Sequence, residues 1–439
     1  MKLKLDPGAA TLLDTLYAAG YAAYAVGGCV RDSLLGRTAH DWDLCTSALP
    51  QQVVELFGEE TCIPTGLQHG TVTVKYGGQL YETTTFRTEG AYTDGRHPDE
   101  VHFVPDVQED LARRDFTINA MAYNEKEGLV DPFGGQTDLQ NGLLRAVGEP
   151  KQRFTEDALR ILRLYRFAAR FGFAIDPATA QAARELAPHL DCVSVERIEE
   201  ELAKLLAAPQ PGPYLEPAVL AVILPELPVQ ALEAARPMVD ACPAGEKNLP
   251  VRLAALLLPL GEEDTRKVLK RLRCSNARIE QTAVLVREAG GSLGSFSEDR
   301  PLGWDPAAAG GRAGDGMARV VSEEKAPEAP GFTVKTRRLL GKYDLTTVQR
   351  LAALGTALYP ERKETYTALA DLAAKLEAEG VCCRIAQLAV NGRDLMETGI
   401  PAGPALRRTL EALLDGVIRE EYPNEKQALL AVAQKISAS

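Results

Sequence analysis

Gly27-Gly28-Cys29-Val30-Arg31-Asp32, followed a short way on by Asp41-Trp42-Asp43, constrains this chain more than any other stretch. A glycine pair opening a helix can present backbone N–H groups and the positive end of the helix dipole to phosphate. Two aspartates one residue apart on a strand point to the same face, because side chains alternate with a period of two. Two hard carboxylates side by side suit Mg2+. A strand, a glycine turn, a helix and a second strand bearing paired carboxylates therefore predict a mixed α/β domain. Divalent metal beside a cradled triphosphate is an arrangement for nucleotidyl transfer.

The surrounding residues extend that domain. A helical pattern covers 9–20, Tyr24-Ala25-Val26 reads as a short strand, Val30 to Leu35 as a helix and Asp41 to Cys45 as a strand. Thr71 to Tyr76 and Leu80 to Phe86 are β-rich runs joined through Gly77-Gly78, a hairpin signal. Residues 87–110 are polar, carry Gly90, Gly95 and Pro98, and read as a long mobile loop. Beyond Phe154 strand signals cease. Helical periodicity covers 156–171, 177–187, 194–207, 250–260 and 263–273, predicting an elongated all-α region. Residues 301–330 lack apolar periodicity and read as a flexible insertion, and helical pattern resumes near Lys335. The expected class is α+β.

Composition narrows the partners. The chain has 439 residues and a net charge of −12, which argues against blanket binding of nucleic acid by charge and leaves room for a local basic track. Arginine and lysine cluster at Arg160, Arg163, Arg166 and Arg170, at Arg266 to Arg273, and at Lys335, Arg337 and Arg338; a solvated helix face is the ordinary reading of each. No apolar run is long enough to span a membrane, and the N-terminus lacks a signal-peptide pattern, so a cytoplasmic location is expected. The eight scattered cysteines include no Cys-x-x-Cys pair and read as free thiols.

Further residues could complete a site. Glu82 stands among β-formers in Tyr81-Glu82-Thr83-Thr84-Thr85, out of place on propensity and available as a third carboxylate. His40-Asp41 suggests a metal phosphohydrolase, but His40, His69, His97, His102 and His189 all lie in the N-terminal half, and that chemistry needs more histidines on helices. In Arg113-Arg114-Asp115-Phe116-Thr117-Ile118-Asn119 the arginines can grip phosphate, and Asp115 and Asn119 suit ribose hydroxyls. In Glu156-Asp157-Ala158-Leu159-Arg160-Ile161-Leu162-Arg163-Leu164-Tyr165-Arg166, Asp157 and Arg160 would share a helix face, with Arg163 and Arg166 continuing it. A carboxylate accepts from the amino group of cytosine or adenine, and a guanidinium donates to the adjacent ring nitrogen. Uracil and guanine present the opposite order, and each mismatch would cost about 1–3 kcal/mol.

Taken in order, Gly27-Gly28-x-Val-Arg-Asp, Asp41-x-Asp43, Arg113-Arg114-Asp115-x-x-x-Asn119-Ala120, Asp131-x-x-Gly134-Gly135 and Glu156-Asp157-x-x-Arg160 resemble the class II CCA-adding tRNA nucleotidyltransferases and their bacterial poly(A) polymerase relatives. The match is dense over 20–210, and Asn391-Gly392-Arg393-Asp394-Leu395 resembles the tail of the Gram-positive type. The resemblance implies a polymerase-β-like catalytic head over 1–150, a base-reading neck over 151–210, a helical body over 211–330 and a tRNA-binding tail over 331–439. It implies Asp41 and Asp43 as Mg2+ ligands with Glu82 as the third acidic residue. It also implies nucleotide contacts from Gly28, Arg31, Arg114, Asp157, Arg160, Arg163 and Arg166. The implied partners are CTP, ATP and the acceptor arm of tRNA; oligomeric state stays open, a homodimer being one option. Pro64 to Thr71 resembles the CCA-adding members, since the Gly-Arg-Arg-Phe-type run of the polymerases is missing, and Thr93 to Pro98 resembles their C-to-A switching element. An A-adding enzyme or poly(A) polymerase is the alternative, and a non-catalytic RNA-binding protein a remote one.

Overall fold

The computed structural model describes residues 2–90, 101–290 and 330–438. Two compact units divide the chain, Met1–Pro225 and Glu226–Ser439.

The first unit opens with α1 (Pro7–Ala18), whose N-terminus is capped by the Asp6 carboxylate accepting from Gly8 N and Ala9 N, and whose Ala9, Leu12, Leu13 and Leu16 are buried. There follow β1 (Ala23–Val26), α2 (Gly28–Leu34), β2 (Leu44–Thr46), α3 (Pro50–Phe57), β3 (Cys62–Gly66), β4 (Thr71–Tyr76) and β5 (Gln79–Thr85). After these come β6 (Arg87–Glu89), β7 (Val101–Phe103), α4 (Val107–Ala112), β8 (Ala122–Asn124), β9 (Gly128–Val130), α5 (Gly135–Gln140) and β10 (Leu143–Leu144). The unit ends with α6 (Pro150–Glu156), α7 (Leu159–Phe171), β11 (Ala174–Ile175), α8 (Pro177–Leu186), α9 (Val195–Ala207) and α10 (Pro217–Ile223).

Seven strands form one mixed sheet in the order β3-β4-β5-β2-β1-β8-β9. All its pairings are antiparallel except β2 with β5, which run parallel with Leu44 opposite Thr83. The expected hairpin is present. Gly77 and Gly78 both have positive φ, 58° and 82°, which L-residues resist and which a two-residue hairpin turn of matching twist requires. Tyr24, Val26, Cys45, Phe86, Leu111 and Val147 belong to one buried core cluster.

Four expectations change, the first being that the region beyond Phe154 is not free of strands, since β11 pairs in parallel with β10. The strand around the paired aspartates begins at Leu44, not Asp41, although Val26 N still donates to Asp43 O at 2.9 Å. Residues 87–110 are not one loop: β6 and β7 pair antiparallel and α4 follows, leaving 91–100, and with them the Thr93 to Pro98 segment, outside the described residues. The helix expected over 156–171 is two helices. Asp157 between them is extended, φ −142° and ψ 103°, and its carboxylate accepts from Leu159 N. This is the local competition that takes aspartate out of helix interiors and places it at their starts.

In the second unit lie α11 (Val229–Ala241), α12 (Leu249–Leu257), α13 (Gly261–Arg271), α14 (Asn276–Gly290), α15 (Pro330–Lys342), α16 (Leu345–Leu358), α17 (Lys363–Ala378), α18 (Gly392–Glu397), α19 (Pro404–Ile418) and α20 (Lys426–Ala438). No strand occurs there among the described residues. Every residue of α12 is buried. Leu395, Leu413, Leu429 and Ala433 anchor a separate core cluster that joins α18, α19 and α20. The inserted segment read over 301–330 lies outside the described residues up to 329. No helix among those described is long and apolar enough to cross a membrane. All eight cysteines are free, and six of them are buried.

Candidate active site

The sheet itself sets the first part of the site. Along 41–44 exposure alternates: Asp41 and Asp43 face out while Trp42 and Leu44 are buried. Along β5 Glu82 faces out between buried Tyr81 and Thr83. Since Leu44 pairs with Thr83 in parallel register, Asp43 and Glu82 stand side by side on the same face. The Asp43 carboxyl is held above its ordinary value, first by desolvation and then by the charges of Glu82 and Asp41, with Arg114 opposing them. That balance places four charged groups within electrostatic reach of one another. Among the described residues no three His, Cys, Asp or Glu side chains form a metal-binding group by themselves. Asp41 and Asp43 remain a donor set of the kind Mg2+ uses, one or two carboxylates supplemented by substrate phosphates.

The glycine turn lies beside these carboxylates. Gly27 has φ 76° and donates its N–H to Met121 O at 3.0 Å, and Gly28 begins α2. A Cβ at Gly27 would meet Arg114 Nη1 at 3.0 Å, so the glycine both adopts the left-handed conformation and leaves space for that guanidinium. Arg31, by contrast, is buried in the wall of the site. Its Nε donates to Asp32 Oδ1 at 2.8 Å and its Nη1 to Asn119 Oδ1 at 2.5 Å.

The second part lies along α6, α7 and α9. Asp157 accepts from Arg197 Nη2 at 2.9 Å through the oxygen not used by Leu159 N. Arg160 is buried, donating to Glu156 Oε2, Arg153 O and Arg113 O. Arg163 places Nε and Nη2 at 2.9 and 2.6 Å from Asp115 Oδ2. Arg166 Nε lies 2.9 Å from Glu201 Oε2, and burial draws its guanidinium down to about 10, still charged at neutral pH. The shared helix face expected for Asp157 and Arg160 is absent because Asp157 precedes α7; the two are joined instead through the turn, with Arg160 N donating to Asp157 O at 3.0 Å.

One short segment links the two parts. Arg114 faces the glycine turn and Asp43, the next residue, Asp115, holds Arg163, and Asn119 spans Asp115 Oδ1 and Arg31. Burial would raise the Asp115 carboxyl, but the charge of Arg163 and the hydrogen bonds from Asn119 and Arg163 prevail and hold it at about 2. Asp115 and Asn119, read above as ribose ligands, are thus engaged in an internal brace.

The comparisons with known proteins come down on one family. The description "Poly A polymerase head domain" matches residues 23–145, "Probable RNA and SrmB-binding site of polymerase A" matches 172–229, and a tRNA nucleotidyltransferase domain 2 matches 340–433. The chain is 36% identical to the CCA-adding enzyme of Geobacillus kaustophilus, the alignment covering 94% of this chain and 92% of that one. The identity to the CCA-adding enzyme of Lactobacillus helveticus is also 36%, over 95% and 94%. This chain belongs to the CCA-adding enzymes. The crystal structure of the Bacillus stearothermophilus CCA-adding enzyme in complex with CTP superposes with a TM-score of 0.75 at 32% identity, covering 99% of this chain and 98% of that one. The Thermotoga maritima CCA-adding enzyme complexed with tRNA_CCA shares the fold, TM-score 0.68 at 21% identity.

In this CCA-adding enzyme Arg197 and Glu201, the partners of Asp157 and Arg166, lie outside every motif read in the sequence. The available signal was Glu201 itself, an acidic residue on the buried side of α9 beside Leu202 and Leu205. A buried carboxylate implies a cationic partner on whatever packs there.

Proposed function

We propose that this chain adds C, C and A to the 3′ end of tRNA from CTP and ATP, releasing pyrophosphate, as a magnesium-dependent nucleotidyltransferase of the cytoplasm. The observation that carries this reading is the parallel register of β2 and β5, which sets Asp43 beside Glu82 on an exposed face next to the Gly27-Gly28 turn. Asp41 and Asp43 would hold magnesium, with Glu82 adding a third negative charge where the RNA terminus enters. Bound magnesium supplies a charge that offsets the triphosphate and lowers the pKa of the attacking 3′-hydroxyl. Gly28 and Arg114 face the phosphates, and Arg31 stiffens the wall behind them. Asp157 and Arg160 read the base. A carboxylate has about four lone-pair sites, of which the Leu159 N–H and Arg197 occupy two, so acceptors remain for the amino group of C or A. Arg163 holds that reading edge against the head through Asp115, and Arg166 ties α7 to α9 through Glu201.

The test is incorporation on tRNA lacking its terminal triplet. CTP alone should add two residues, and CTP with ATP should complete three. ATP incorporation with no CTP incorporation would replace this reading with an A-adding enzyme or poly(A) polymerase. Binding of tRNA with no incorporation of either would leave only an RNA-binding protein.

A further inference from the structure

The end of α7 carries charge that the catalytic reading does not use. Phe167 and Phe171 stack with centroids 6.0 Å apart and planes 2° from parallel. Five guanidinium groups surround them: Arg31 at 4.9 Å from the Phe171 centroid, Arg37 and Arg170 each at 5.2 Å from it, and Arg166 and Arg163 at 4.1 and 5.3 Å from the Phe167 centroid. Three carboxylates are ion-paired to this group: Asp32 with Arg31 and Arg170, Asp115 with Arg163, and Glu201 with Arg166. Two positive charges are left over in a chain whose net charge is −12. The surplus lies on the outside. Arg37 and Arg170 are exposed, and Arg170 reaches Asp32 only at 3.7 Å. The Arg170 guanidinium is held below its ordinary value by burial and then by the like charges of Arg31 and Arg37, so an arriving anion would relieve repulsion already present.

We propose that Arg37 and Arg170, flanking Phe171, form a subsite for a backbone phosphate of the tRNA being extended. A guanidinium laid on an aromatic ring keeps its N–H edge free for two-pronged contact with phosphate. The position fits a backbone contact outside the reaction centre: Arg37 follows the far end of α2, a helix of seven residues that spans about 10 Å from the glycine turn proposed to face the triphosphate. The subsite rests on the proposed function, because it requires tRNA as substrate.

The test uses the full chain with Arg37→Gln, Arg170→Gln and the double variant, the first being exposed and in no ion pair among the described residues. Affinity for tRNA lacking the triplet is measured across salt concentrations, alongside KM for CTP and inhibition by pyrophosphate. Each variant should weaken tRNA binding several-fold and reduce the slope of log affinity against log salt by about 0.7–0.9, with KM for CTP unchanged. Arg37→Lys should recover the slope and only part of the affinity. An unchanged slope would overturn the subsite, and a raised KM for CTP with weaker pyrophosphate inhibition would reassign these arginines to the triphosphate. A wild-type chain that incorporates no CTP would defeat the proposed function itself, a result distinct from either.

Discussion

The carboxylate face of the sheet and the arginine-bearing side of α7 lie in one compact unit and treat charge in opposite ways. Asp41, Asp43 and Glu82 face outward, and desolvation first, then repulsion from Glu82 and Asp41, raises the Asp43 carboxyl. Arg160, Arg163 and Arg166 are each engaged by an acidic residue of the same fold. The first region is held with its electrostatics unresolved, which makes it receptive to a cation. The second is resolved internally, which fixes the positions of the groups proposed to read the base. Removing charge should therefore have opposite consequences for stability in the two places.

Asp43→Asn is the largest expected effect on activity and the first test of that contrast. Replacing a carboxylate that would hold magnesium should lower CTP incorporation at least about 1,000-fold. It should leave the melting temperature unchanged or slightly higher, since the amide removes a charge that desolvation and Glu82 already disfavour. A fall in melting temperature of several degrees would show that the carboxylate face is a structural element like the second region.

Asp115→Asn should do the reverse, destabilising the fold by about 2–4 kcal/mol because it leaves Arg163 without its carboxylate. The value sits below that of a fully buried pair because the Arg163 side chain keeps 33% exposure. The same residue sets an acid limb. Its carboxyl is depressed to about 2 in the folded chain, against about 3.9 when unfolded. Its stabilisation is therefore complete above the unfolded value and lost as pH falls from about 4 to about 2, a loss of about 2 kcal/mol. Chemical denaturation at pH 7, 4 and 2.5 should show this limb in the wild type and a smaller one in Asp115→Asn. Equal limbs would place the acid sensitivity elsewhere.

What could be read in advance divides along the same line. The outward side shared by Asp41, Asp43 and Glu82 and the Gly77-Gly78 hairpin were legible because their signals are local: alternation along the extended chain that leads into β2, an acidic residue among β-formers, two glycines between β runs. The brace was not, because its members are distant in sequence. Asp115 meets Arg163 across 48 residues, and Arg31 meets Asn119 across 88. In sequence neither Asp115 nor Asn119 shows a partner, and both read as ribose ligands. The continuous helix over 156–171 failed for a different reason, since apolar periodicity runs through Asp157 and the break depends on one side chain capping Leu159 N.

That break gives the smallest and most discriminating effect. Asp157→Ala removes the acceptor of the Leu159 N–H at the start of α7 and the partner of Arg197, at about 1 kcal/mol of stability, and should relax the preference for C and A over U and G by about tenfold. Asp157→Asn separates the two roles. Its amide oxygen can still accept from Leu159 N, so most of the stability should return. The NH2 group in place of the second oxygen presents a donor where the amino group of C or A needs an acceptor, so selectivity should stay impaired and incorporation of UTP should rise relative to CTP. Nucleotide competition assays beside thermal melts of both variants decide it. Recovery of selectivity together with stability in Asp157→Asn would mean that Asp157 only shapes the turn and that the base is read by another group on this side of the site.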